Sequence, residues 1–101
     1  MADPQFVSIN ATTPGPVTLV SGITGKKIRV VSYVVTPSVA MVVEFRSGTS
    51  LIGRLDLGAN VPVSFPGKVN APAFETAEGA YLAIAGNAVG LIRGHAAYIE
   101  V

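Results

Sequence analysis

The sequence predicts an all-β domain, a single antiparallel β-sandwich or jelly roll of about seven or eight short strands. Three observations predict it. Glycine (11 residues) and proline (7) punctuate the chain at short intervals, as turns require and helix interiors do not tolerate. Val-rich segments between these breaks alternate apolar and polar side chains with a period of two. No segment holds a helical period. The nearest candidate, "AFETAEGAYLAIAG", has the Ala and Glu that favour helix, but Gly79 divides it and Leu82 and Ile84 alternate afterwards.

Taken in order, residues 1–16 read as an extended N-terminal arm containing Pro4, Pro14 and Pro16, in which "FVSI" can pair as a short edge strand. Residues 17–101 read as the sandwich. Val17–Val20 forms a strand and "SGITGK" turns. Ile28–Val35 is the central strand, and "TPSV" turns because Pro37 has no N–H to give a ladder. Ala40–Arg46 follows, with Met41, Val43 and Phe45 on one face and Val42, Glu44 and Arg46 on the other. "SGTS" turns into Leu51–Leu57, where Arg54 and Asp56 face away from Leu55 and Leu57. "GAN" turns into Val61–Phe65, and "PGKVNAP" is a loop. Phe74–Thr76 pairs briefly, Tyr81–Ala85 is a further main strand, "GNAVG" turns, and Leu91–Val101 closes the chain inside a sheet.

Only 13% of the residues are charged, against roughly 25% in an ordinary soluble domain, while 50% are apolar. One small core cannot take them all, so the remainder forms patches or is covered by another chain. A membrane does not fit. The longest uncharged stretch, Val30 to Val43, contains Ser32, Thr36, Pro37 and Ser38 and falls short of the roughly 18 apolar residues of a spanning helix. The strands are too short for an outer-membrane barrel, and "MADPQFVSIN" lacks the basic start and apolar block of a secretion signal. The chain reads as soluble and not exported by a cleaved signal. A net charge of +1 gives no electrostatic footprint for nucleic acid, and the absence of cysteine removes disulfides and thiol chemistry.

The candidate chemical groups are sparse. His95 would need a serine and an acid beside it for a triad, and no nucleophile elbow is present. It reads as a structural histidine hydrogen-bonded within or between sheets, with Gly90 and Gly94 allowing a close backbone approach. One histidine and no cysteine leave only carboxylates for zinc. "GITGKK" lacks the spacing and the following helix of a phosphate loop and reads as a turn. Glu75 and Glu78 flank a turn, where solvated acids are ordinary. No catalytic residue, cofactor or metal is expected.

The interface candidates are three. Lys26, Lys27 and Arg29 form a small cationic cluster that either blunts a strand end or meets acidic groups on a partner. Val31, Tyr33 and Val35 belong to a run, Val30–Val35, that is apolar on both strand faces. A second copy or larger partner is expected to cover the outer one. Phe6, Val7 and Ile9 in the arm can add a strand to a neighbour's sheet.

The order of four segments carries a resemblance. Gly25 to Val30, Phe45 to Gly48, Phe74 to Thr76 and Gly94 to Val101 follow one another as in small β-rich proteins encoded among the structural genes of tailed bacteriophages. The similarity spans about residues 17–101 and leaves out the arm. The resemblance implies a virion component made in the host cytoplasm, most like a head decoration (cement) protein on the capsid surface. Such a protein binds the major capsid protein lattice as an oligomer, a homotrimer being favoured, and needs no enzyme activity. A tail- or spike-associated receptor- or carbohydrate-binding module is the alternative.

Overall fold

The computed structural model describes residues 4–67 and 72–101. The expected arm's first three residues and most of the expected "PGKVNAP" loop lie outside the described residues. The described strands are β1 (Gln5–Thr13), β2 (Val17–Val20), β3 (Ile28–Pro37), β4 (Met41–Ser47), β5 (Ser50–Leu57), β6 (Val63–Phe65), β7 (Phe74–Glu75), β8 (Leu82–Gly86) and β9 (Gly90–Glu100). The fold is all-β, in two antiparallel sheets. The first has the order β1-β9-β3-β6, with β7 also on β3, and the second has the order β2-β8-β4-β5. The described strands number more than the seven or eight expected, because the N-terminal segment forms a full strand and Phe74–Glu75 pairs beside β6 on the same edge of β3.

Alternation decides which side chains meet. Met41, Val43 and Phe45 of β4 are buried while Val42, Glu44 and Arg46 are half-exposed, as the period of two requires. Ile28, Val30 and Ile92 of the first sheet and Val43, Phe45, Leu82 and Ile84 of the second join one hydrophobic cluster, so each sheet gives one face to a shared core. Ala83 and Ala85 of β8 are buried outside that cluster. They stand beside Arg46 and Glu44 of β4, whose side chains are ion-paired with one another at 2.8 Å.

The apolar run of β3 does not face two ways. Its register along β9 slips at one point: Val30 lies opposite Tyr98 and Ser32 opposite Ala97, leaving Val31 as the extra residue of a β-bulge. The slip reverses the phase of the alternation. Ile28 and Val30 face the core before it, and Tyr33, Val35 and Pro37 are buried after it. Arg29, Ser32, Val34 and Thr36 are left half-exposed. The expected apolar outer face is therefore reduced: β3 keeps Val34 there, and Val31, at the bulge, is buried outside the core cluster.

The N-terminal segment also departs from expectation. Residues 5–13 do not reach away from the domain. They form β1, paired with β9 from Gln5–Tyr98 to Thr13–Gly90 without a slip, and Ile9 and Ala11 are in the core. Apolar residues at every second position (Val7, Ile9, Ala11) give this segment a face to bury, which outweighs the prolines at its two ends. Gly94 of β9 bears out the expected close approach. A Cβ there would lie 1.9 Å from the Val34 carbonyl oxygen, and its φ of +146° is one that side chains rarely adopt.

Candidate interaction surfaces

The sequence-predicted interface residues scatter. Tyr33, Val35 and Ile9 are buried in the core cluster and Val31 is buried outside it, so none of the four is exposed in the single chain. Val7 is half-buried against the core. Lys26 and Lys27 are exposed in the turn before β3. Arg29 is half-buried and its Nε donates to a Glu75 carboxylate oxygen across the β3–β7 pair, so it is not part of a free cationic patch. Phe6 is 75% exposed at the start of β1. His95 is exposed on the outer face of the first sheet, in a row with Ser8, Val34 and Ser64, so of the two expected placements, within a sheet or between the sheets, it does not take the second. A second polar row, Asn10, Arg93 and Thr36, runs beside it. These two rows are at ease in water, whereas the next, Phe6, Ala97 and Ser32, is partly apolar.

Two further features emerge from the packing. The first is an aromatic cleft between β5, the edge of the second sheet, and the β6/β7 edge of the first. It holds about 280 Å³ and is lined by Tyr33, Phe45, Phe65 and Phe74 with Ile52 and Leu55. Phe45 and Phe74 lie 4.9 Å apart between centroids, and Tyr33 lies 5.2 Å from Phe45 and 6.0 Å from both Phe65 and Phe74. These spacings are those of attractive ring pairs. A bulge at Ile52 and the missing side chain of Gly53 make the room, since a Cβ on Gly53 would lie 2.9 Å from the Phe74 ring. Burial raises the Tyr33 phenol above its ordinary value of 10.0.

The second is an apolar end. The β3–β4, β5–β6 and β8–β9 loops lie together. The Ser38 N–H donates to Leu91 O at 2.8 Å, the Leu91 N–H donates to Ser38 Oγ at 2.9 Å, and the Asn60 N–H donates to Pro37 O at 2.7 Å. The Val42 N–H donates to Asn87 Oδ1 at 2.8 Å. Each loop then holds out a valine: Val39 is 36% exposed, Val61 52% and Val89 83%. Asn60, at φ 58°, takes the left-handed turn that precedes Val61. A signal for this end does exist in the sequence, as a valine inside each turn, where polar residues are the rule.

The opposite end is equally tied, and it exposes Ile23 and Val101 beside Lys26 and Lys27. The Gly79 N–H donates to Lys26 O at 2.8 Å, and Lys27 and Val101 exchange two backbone bonds that extend the β3–β9 ladder beyond β9. Buried Thr76 accepts the Ile28 N–H on its Oγ1 at 2.9 Å, and Ser47 Oγ accepts the Ala77 N–H at 2.8 Å. Among the described residues no three potential metal ligands cluster. Comparison with protein-family models, with curated proteins and with solved structures finds no match.

Proposed function

We propose that the protein is a virion structural protein of a tailed bacteriophage, a head decoration or cement protein. It binds the outer surface of the major capsid protein lattice as an oligomer and stabilises the head without catalysis. The observation that carries this reading is the apolar end. Three valines on three loops, held by backbone and Ser/Asn hydrogen bonds, form a preorganised contact that loses little entropy on docking. Full burial of a valine contributes about 1.5–3 kcal/mol at most. One copy is thus a weak binder, and an oligomer gains avidity because its later contacts are intramolecular. Whatever binds only the assembled shell stabilises it by mass action.

Two further observations support it. The strand orders β1-β9-β3-β6 and β2-β8-β4-β5 fit a jelly roll, since the chain changes sheet at each step from β1 to β4, again from β5 to β6, and again from β7 through β8 to β9. The segments that carry the resemblance also converge in space. Arg29 pairs with Glu75, Ile28 with Glu100, and Ser47 with the Ala77 N–H, so they brace one end of the fold. A different observation favours the tail-associated receptor-binding reading, namely the aromatic cleft, whose Phe65 is partly exposed.

The test is binding to purified phage shells. The wild-type chain is expected to coat expanded shells in many copies and to raise their melting temperature. The triple variant V39D/V61D/V89D should fold as the wild type does and lose affinity by about tenfold or more, the equivalent of 1.4 kcal/mol. No binding to shells, or a few copies confined to the tail together with a positive glycan screen, overturns the capsid reading in favour of the tail module.

A further inference from the structure

β1 and β5 are each the outermost described strand of a sheet, but only one of them is guarded. β5 carries a bulge at Ile52, a glycine at position 53 and two charged side chains, Arg54 and Asp56, which are 60% and 80% exposed. Bulges and charges are what keep sheet edges from accepting further strands. On the other edge of the first sheet, β6 and β7 are only 3 and 2 residues long, and short edge strands serve the same end. β1 has none of these devices. It is 9 residues long, its register against β9 never slips, and "QFVSINATT" contains no charge and no proline. Phe6, exposed at its start, adds an uncovered ring beside it.

We propose that the free edge of β1 is a self-association edge, to which β1 of a second copy adds antiparallel about a two-fold axis. The register with full overlap sets Ile9 opposite the second copy's Ile9, Ser8 opposite its Asn10, Val7 opposite its Ala11 and Phe6 opposite its Thr12. Paired residues in an antiparallel ladder share a face, so outward residues meet outward ones and core-facing residues meet core-facing ones. The first sheets of the two copies become one continuous sheet. Alternate residues of β1 point their N–H and C=O away from β9, so full overlap makes about eight backbone hydrogen bonds. Among the described residues no like charges oppose this. β1 is uncharged, and the nearest exposed cation described, Arg93 on β9, lies three strand spacings from its counterpart, about 14 Å, beyond the screening length in physiological salt. A two-fold contact closes at two copies. It therefore accounts for a pair in free solution and differs from the three-copy form that the phage resemblance implies.

The experiment uses the full chain in the absence of shells, so its outcome is separate from that of the capsid reading. Sedimentation equilibrium across the micromolar range is expected to give a dimer. S8K/N10K, whose positions are exposed on the outer face, sets like charges opposite one another. It should raise the dimer Kd by about tenfold or more, while S50K on β5 leaves the Kd unchanged and circular dichroism confirms that both variants fold. The wild type contains no cysteine, so an equal mixture of S8C and N10C chains should give a covalent dimer with a short bis-thiol reagent in higher yield than either variant gives alone, since directly opposed positions lie closer than diagonal ones. A monomer, a trimer, a dimer indifferent to S8K/N10K, or a mixture that yields no more covalent dimer than either variant alone overturns the proposal.

Discussion

The two flanks of the molecule close in different ways. On one, β1 leads into β2 through a short corner, residues 14–16, and the gap between the sheets is narrow enough for Ile9, Ala11 and Val20 to fill. On the other, residues 58–62 lead from β5 across to the short β6, and four aromatic rings line the space between the sheets without filling it. Small aliphatic side chains make a dense, featureless seam. The rings on the other flank, two pairs tilted at 43–45° and two nearly parallel at 17–21°, leave a cleft beside Gly53, which has no side chain to fill it. The flank with the smooth seam also has the unguarded strand, whereas the flank with the cleft has the bulged and charged one.

Four changes would break or sharpen this contrast. Phe45 is fully buried and touches the rings of both Tyr33 and Phe74. F45A should cost about 3–5 kcal/mol, read from urea denaturation, and would collapse the cleft flank first. G53A places a methyl against the Phe74 ring, and overpacking of this kind should cost about 1–3 kcal/mol with a visible change in near-ultraviolet dichroism. The third change is pH. Burial raises the Tyr33 phenol, so the unfolded chain loses this proton before the folded one does. The stability it contributes is complete below about pH 10 and is lost as pH rises toward the folded-state value. Denaturation midpoints should fall in that window for the wild type and fall less for Y33F. The smallest effect belongs to the smooth flank. F6A should alter monomer stability by no more than about 0.5 kcal/mol, because the ring is already in water. A larger loss would mean that Phe6 packs on its own sheet and not at an edge open to association.

Much of the fold is legible in the amino-acid sequence. The alternation of Met41, Val43 and Phe45 against Glu44 and Arg46, and the turns at "SGTS" and "GNAVG", place β4, β5, β8 and β9 within a residue or two of where they run. The interaction surfaces are less legible. Unbroken alternation would put Val31, Tyr33 and Val35 together on one outer face, and one extra residue at Val31 moves two of the three into the core. Phe65 and Phe74 lie on separate short strands, and nothing local says that both will lie within ring contact of Tyr33.

What the sequence determined by itself is the class of structure. Glycine and proline at short intervals leave room only for strands, and a period of two assigns most side chains to a face, since both effects act within a few residues. The tertiary structure alone decided where alternation changes phase, that residues 5–13 lie along β9, and which apolar residues stay in water. Those outcomes depend on strands far apart in the chain, whose pairing energy exists only once they meet.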